Sequence, residues 1–386
     1  MKEIINGKIV TEERIIKGKV LLFHHEIVDI IDEEYLEQYK IKNNQKEIKV
    51  INAGGNYIGP GLIDLHIHGS GGYDTMDGSL EALNKISSVI CQRGVTSFLP
   101  TTMTMKIELI YNALNTIKKA MNIQMEGAKV IGAHMEGPFI CEKYKGAQSA
   151  THIIKPAYEV IKDYLDVIKI ITLAPEMDEG HNFIRKIKKE SDIVLSIGHS
   201  NATYEQAKEA INNGISHATH TFNAMTPLNH REPGIVGAIF INDISCELIA
   251  DTIHVHPDLF KLLVKIKGIE KLVLITDCIR AGGMGKGVYD LGGQEVVVND
   301  NSARLSNGTL AGSILDLNSA IKNMVKYTDL KIYEAITMAS LSPAKVIGIE
   351  DKKGSIKQGK DADIIIFDEN FTIYTTIVEG KVVFER

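Results

Sequence analysis

The chain has 386 residues, 44% of them hydrophobic and 24% charged, which is enough apolar material for a barrel-sized core with a smaller domain beside it. A formal net charge of −6 argues against a polyanion-binding surface, so nucleic acid is not an expected partner, although one local pocket for a single phosphate is still allowed. Cys91, Cys141, Cys246 and Cys278 form no C-x-x-C pair, which removes a thiolate zinc site and a disulfide scaffold. Met1 to Val10 is unlike a signal peptide and no apolar run reaches membrane length, so a cytoplasmic protein with no membrane partner is expected.

Residues 1–58 are rich in Ile, Val and Lys and are broken by Asn6-Gly7 and Lys17-Gly18, which predicts short antiparallel strands joined by hairpins. His24 and His25 read as exposed strand-end residues, because no carboxylate or further His is spaced to join them. Asn43 to Lys49 is polar enough for a mobile loop. From Leu62 the pattern changes to buried apolar strands alternating with amphipathic helices. The strands are predicted over 62–67, 95–99, 129–133, 167–173, 193–197, 215–219, 245–250 and 272–276, and helices over 80–93, 107–121, 204–213 and 258–266 lie between many of them. Eight strands with this alternation predict a (β/α)8 TIM-type barrel, in which function sits at the C-terminal strand ends. Met284 to Thr309 breaks the rhythm and reads as a β-hairpin inserted before a last barrel helix at 314–327, with helical stretches at 333–340 and 343–347. The tail returns to strands at 363–367, 373–378 and 382–385. The two termini, 1–58 and 350–386, are therefore expected to form one small β-sandwich domain around a barrel of 59–349.

Candidate chemistry begins at His66 and His68. On a strand of period two both imidazoles project from one face, so both can reach one metal ion. A structural alternative, one His in the core and one closing the strand, stands beside this reading for the pair taken alone. Further ligand types recur at the predicted strand ends: Glu136 past the third strand, His199 past the fifth, His220 past the sixth and Asp277 past the eighth. Imidazoles and carboxylates of this kind are what zinc or a similar divalent ion takes. His152, His181 and His230 read as surface residues, and His134 and His217 as strand packing.

Several segments make the chain recognisable: Pro60-Gly61-Leu62-Ile63-Asp64-Leu65-His66-Ile67-His68, His134-Met135-Glu136-Gly137-Pro138-Phe139, Gly198-His199-Ser200, Thr219-His220-Thr221-Phe222-Asn223-Ala224-Met225, Ile249-Ala250-Asp251-Thr252-Ile253-His254, Thr276-Asp277 and Leu310-Ala311-Gly312-Ser313. With them the chain resembles the amidohydrolase superfamily, and within it the N-acetylglucosamine-6-phosphate deacetylases, along nearly its whole length. That resemblance implies a hydrolase that removes acetate from a phosphorylated amino sugar in amino-sugar catabolism. It implies that Glu136, His199 and His220 hold the principal metal, that His66 and His68 hold a second, and that Asp277 is the catalytic base and acid. One or two divalent ions are expected, zinc first, with iron, manganese, cobalt or nickel as alternatives.

For the substrate, the resemblance implies contacts from Ala147, Gln148, Asn223, Ala224, His254, Leu310, Ala311 and Gly312. It also implies a phosphate anchor at Arg231, with phosphate contacts that can involve the neighbouring subunit of a homodimer. Gln148 stands where some relatives have a His that polarises the acetyl carbonyl, and a neutral amide can donate a hydrogen bond but cannot carry a proton. Two rival readings are another amidohydrolase, a cyclic-amide hydrolase or a deaminase, and a non-catalytic assembly protein on the same barrel. The intact ligand set speaks against the second.

Overall fold

A computed structural model describes residues 1–42 and 49–386; of the segment expected as a mobile loop, 43–48 lie outside the described residues and Lys49 opens a strand, Lys49–Asn52. The fold is organised on Leu62–Ile67, all six residues of which are buried. It pairs in parallel with Val95–Thr102, which continues in parallel order through Ala133–Glu136, Ile168–Leu173, Val194–Ile197 and His217–Ala218. Together these strands make one curled sheet of parallel strands. Cys246–Ile249 and Leu272–Ile275 pair with each other, also in parallel. Backbone hydrogen bonds reach this pair from both sides: Ala218 to Ser245 and Thr221 to Glu247, each 3.0 Å, and Asp277 to His66 and His68 to Cys278, each 2.8 Å.

The third predicted strand is divided. Lys129–Val130 and Ala133–Glu136 both pair with Val95–Thr102, but one extra residue is inserted between the two registers. Gly132 makes that kink possible: its φ is +147°, and a Cβ there would lie 2.4 Å from Lys169 Cγ. The displaced second half carries Glu136 at its end.

Helices cover the outside of the sheet where the sequence has apolar stripes. Leu80–Ile90 starts at Ser79, whose side chain accepts from the Ala82 N–H, and buries Leu83, Ile86 and Ile90 at helical spacing. Tyr204–Asn213 matches its predicted span and begins with a capping box of Thr203 and Gln206. The predicted helix at 258–266 runs on to Lys271, past a break at Gly268 with φ +70°. Among the described residues no helix is long and apolar enough to cross a membrane.

The chain ends build two further sheets. Ile27–Asp32, Lys19–Phe23, Lys2–Ile5 and Lys49–Asn52 form one, and the last three strands join Tyr57–Pro60, Lys8–Val10 and Ile15–Ile16 in the other. Ile4, Leu21 and Phe23 from the first meet Ile9, Ile58, Ile364 and Ile366 from the second in a common buried cluster. The expected hairpins at Asn6-Gly7 and Lys17-Gly18 do not form. At both turns the chain crosses from one sheet to the other, because alternate strands are needed on opposite sides of that cluster. Likewise the segment expected as a hairpin has three antiparallel strands, Gly287–Leu291, Gln294–Val298 and Ala303–Leu305, packed over Met103, Ala147 and Ala311. The last helix of the alternating region is Leu317–Tyr327, shorter than predicted.

Lys353 ties the C-terminal region together. Its Nζ lies 2.6 Å from Asp363 Oδ2 and 2.8 Å from Asp361 Oδ2, with the Lys353 and Asp363 side chains 7% and 4% exposed. Removing the cation leaves a buried carboxylate unpaired, so Lys353→Ala is expected to cost about 3–5 kcal/mol in urea unfolding. A loss under about 1 kcal/mol, the scale of a surface pair, would show that the pair carries little of the stability.

Candidate active site

The functional groups gather at the C-terminal ends of the parallel strands. His66 is inside Leu62–Ile67, His68 follows it, and Glu136 ends Ala133–Glu136. His199, His220 and Asp277 lie two residues beyond Val194–Ile197, His217–Ala218 and Leu272–Ile275. These three have left-handed backbone, with φ of 48°, 26° and 49°. Such conformations cost a non-glycine residue about 1–3 kcal/mol each and survive where surrounding packing fixes them. Here they turn each side chain back over the end of its strand.

Glu136 is the centre of the group. Its Oε1 is 3.0 Å from His220 Nε2, 3.1 Å from His199 Nε2 and 3.4 Å from His66 Nε2, and its Oε2 is 3.3 Å from His68 Nε2. Asp277 Oδ1 is 3.3 Å from His68 Nε2 and 3.5 Å from His66 Nε2. Each imidazole is held from behind through Nδ1. His68 donates to Thr101 O at 3.2 Å, His199 to Tyr144 O at 2.9 Å and His220 to Asn223 O at 3.2 Å. A carbonyl accepts and cannot donate, so each Nδ1 carries the hydrogen and each Nε2 faces the cavity.

Charge is concentrated where water is scarce. Burial alone would raise Glu136, but His66 and His199 outweigh it and hold the carboxyl well below its usual range. Asp277 is lowered in the same way, burial being outweighed by His66 and His68. Conversely, burial would lower His68, yet hydrogen bonds with Asp277 and Glu136 push it up to about 10. The two carboxylates thus draw positive charge into the cage. Buried His66 Nε2 has no hydrogen-bond partner, and two sets, His66/His68/Glu136 and Glu136/His199/His220, each bring three ligand atoms together. This donor set fits a divalent cation.

A cavity of about 700 Å³ opens above the cage. Ala147, Gln148, Asn223, Ala224, His254, Leu310 and Gly312 line it, together with Lys143, Lys145 and Arg304, which the sequence did not single out. Ala311 is fully buried behind Leu310 and Gly312, its N–H donating to Ala303 O at 3.0 Å. Gly312 has φ +57°, and a Cβ there would stand 2.8 Å from Asp277 O. Gln148 is committed inward: Nε2 donates to Glu136 Oε2 at 2.7 Å and Oε1 accepts from Thr104 N at 2.6 Å. Arg231 is exposed and does not line the cavity of its own chain.

Three carboxylates behind the site escaped the sequence reading. Glu247 is fully buried and accepts from His66 Nδ1 at 3.0 Å. Asp64 accepts from Thr276 Oγ1 at 2.7 Å and joins the first and last parallel strands, while burial pushes its carboxyl up to about 7. Asp251 holds His254 Nδ1 at 2.7 Å. The available signal was an acidic residue inside an otherwise apolar strand, and for Asp251 an acidic residue three before a His. His181, expected on the surface, is 7% exposed, because its ring turns towards the helix Tyr204–Asn213, with Nε2 3.8 Å from Glu209 Oε1. His134 is packed as expected: Nδ1 faces Leu65 O at 2.9 Å and Nε2 faces Thr172 Oγ1 at 2.7 Å, which uses both nitrogens.

A cation cage at the C-terminal ends of a curled parallel sheet defines a metal-dependent α/β enzyme. Residues 57–383 match the model of the Amidohydrolase family, and the chain belongs to that family. It is 41% identical to N-acetylglucosamine-6-phosphate deacetylase of Bacillus subtilis (strain 168), over 97% of this chain and 95% of that one. It is 36% identical to N-acetylgalactosamine-6-phosphate deacetylase of Escherichia coli O157:H7, over 86% and 89% of the two chains. The crystal structure of N-acetylglucosamine-6-phosphate deacetylase from Pasteurella multocida superposes with a TM-score of 0.91 at 32% identity, covering 99% of both chains.

Burial, followed by the neighbouring His66, lowers His134 to about 3. Its folded pKa lies below that of an unfolded His, near 6.5, so the unfolded chain binds the extra proton as pH falls from 6.5 towards 3 and the folded state loses stability over that window. Histidine NMR should show no titration of the His134 ring between pH 5 and 8, whereas a midpoint inside that range would place the ring in a wetter site.

Proposed function

We propose that the chain hydrolyses the acetamide of N-acetyl-D-glucosamine 6-phosphate to D-glucosamine 6-phosphate and acetate, in amino-sugar catabolism. One observation carries the reading: Glu136, His66, His68, His199, His220 and Asp277 converge within 3.5 Å contacts, in a chain 41% identical to a deacetylase of that name. The fold we assign is a closed (β/α)8 barrel over 59–349 with a β-sandwich of 1–58 and 350–386. Support comes from the backbone hydrogen bonds on either side of Cys246–Ile249 and Leu272–Ile275 and from the cluster shared by the two terminal sheets.

Glu136, His199 and His220 would hold one divalent ion, with His66 and His68 at a second position beside Asp277; zinc is the first choice for these ligands. A divalent ion bound there supplies water with a pKa near about 7 and polarises an amide carbonyl. The rest falls to the protein. Asp277, its carboxyl held low and its Oδ1 3.3 Å from His68 Nε2 and 3.5 Å from His66 Nε2, takes a proton from the attacking water and delivers it to the amide nitrogen as the C–N bond breaks. The water oxygen stays with acetate, and the nitrogen leaves as the amine rather than as an anion. His254, oriented by Asp251, contacts the sugar; the Asn223 N–H is committed to His220 O at 2.9 Å, which leaves the Ala224 N–H as the further donor to the phosphate. Arg231, outside its own cavity, reaches the 6-phosphate of a second copy in a homodimer, as a planar fork suited to that group. A phosphorylated sugar is retained in the cytoplasm, where we place the enzyme.

Acetate release by the zinc-supplied protein tests this. Turnover of N-acetylglucosamine 6-phosphate well above that of the unphosphorylated sugar is expected, and equal turnover of both would remove the phosphate anchor. Comparable turnover of the galactosamine epimer would instead align the chain with the relative named for it. Asp277→Asn is expected to lower kcat by about 10²–10⁴-fold or more while retaining metal, and near-full activity would take Asp277 out of the reaction.

A further inference from the structure

Three of the four imidazoles around Glu136 are oriented by backbone carbonyls, and these are fixed by the path of the chain. His66 is the exception. Its Nδ1 donates to the Glu247 side chain, Oε2 at 3.0 Å, with both residues fully buried. The same oxygen accepts the backbone N–H of His220 at 2.9 Å. On the other side Glu247 Oε1 lies 3.4 Å from His217 Nε2, and His217 Nδ1 lies 2.7 Å from Ser245 Oγ. Nothing in the strand Cys246–Ile249 requires a charge for packing, since its other residues are apolar and buried. Meanwhile His66 Nε2, on the opposite edge of the ring, is buried without a hydrogen-bond partner and faces Glu136 and Asp277.

We infer that Glu247 is a positioning residue for the metal position at His66 and His68, and that filling of this position depends on it while the position at Glu136, His199 and His220 does not. The inference rests on the two-position reading above. An ionised carboxylate at Nδ1 fixes the ring in one tautomer, with the Nε2 lone pair directed at the ion, and it raises the donor strength of that nitrogen. Backbone carbonyls do the first for the other three rings, and only Glu247 does both. Occupancy of the second position is thereby set by a side chain that touches neither substrate nor ion.

Glu247→Gln is the informative change. A glutamine oxygen can still accept from His66 Nδ1 and His220 N, and its amide can turn to His217 Nε2 if that ring donates from Nδ1 to Ser245, so the shape is kept and the charge is lost. The metal-free full-length protein is titrated with zinc against a chromophoric chelator, with far-UV circular dichroism and the apo Tm as controls on folding. Wild type is expected to take two ions. Glu247→Gln is expected to keep the tighter step and weaken the other by about 10–100-fold, and His66→Asn to lack that step altogether. Two undiminished steps in Glu247→Gln, or equal weakening of both, overturn the inference and leave the two-position reading standing. A wild type that takes one ion overturns both. A readout on wild type covers a variant that fails to fold. In the zinc-loaded, histidine-¹⁵N-labelled protein, long-range ¹H–¹⁵N correlations should place the His66 proton on Nδ1, and a proton on Nε2 overturns the inference.

Discussion

Two ionised carboxylates, Glu136 and Asp277, are 3% and 8% exposed at the end of a parallel sheet, and much of the rest of the structure follows from keeping them there. A buried charge is tolerated only with opposite charge and hydrogen bonds around it. Four imidazoles supply these, drawn from three different stretches of chain. Bringing them within reach of one glutamate requires three strands to end with left-handed turns at His199, His220 and Asp277. It also requires the inserted residue at Gly132, which sets the register of the strand that carries Glu136. The local strain and the buried charges are therefore parts of one arrangement, in which a divalent cation replaces protons that the carboxylates would otherwise draw onto the rings.

Rigidity around the cage comes from backbone carbonyls and buried side chains that hold the ligands from behind. Thr101, Tyr144 and Asn223 give up backbone carbonyls to ring nitrogens, and Asp64 links Leu62–Ile67 to Thr276 so that His66 and Asp277 keep their spacing. Thr172 is shared between His134 and Thr219, which ties Ala133–Glu136 and Ile168–Leu173 to the end of His217–Ala218 beneath the ligands. Such a layer holds the ligands within the tolerance a metal site needs. By contrast, the substrate side of the cavity is built from loops and from the inserted three-stranded sheet, with Lys143, Lys145 and Arg304 on its rim. A fixed metal end and a loop-built recognition end is the division that lets one framework serve related acetylated sugars.

Among the described residues the terminal sheets contribute no side chain to the cavity. Their role is mechanical: Tyr57–Pro60 belongs to the six-stranded sheet and leads through Gly61 directly into Leu62–Ile67. Gly61 is needed because a Cβ there would meet Thr96 Oγ1 at 2.2 Å. The small sheets thus anchor the start of the strand that carries His66.

The sequence alone determined near which strand ends ligand-type side chains would fall. Period-two apolar runs place strand ends within a few residues, and His66, His68, Glu136, His199, His220 and Asp277 each lie at or just past such an end. It also determined the alternation of strands and helices and the return of the tail to strands. Tertiary structure decided the rest, because the remaining pairings join residues far apart in the chain. Glu247 is 181 residues from His66 and Asp64 is 212 from Thr276, so no local period links them. The turns at Asn6-Gly7 and Lys17-Gly18 carry a hairpin signal, yet the need for strands on both sides of one buried cluster overrides it. Arg231 lies outside its own cavity for a related reason: a loop charge is placed by how the chain packs, and its sequence neighbours do not encode that.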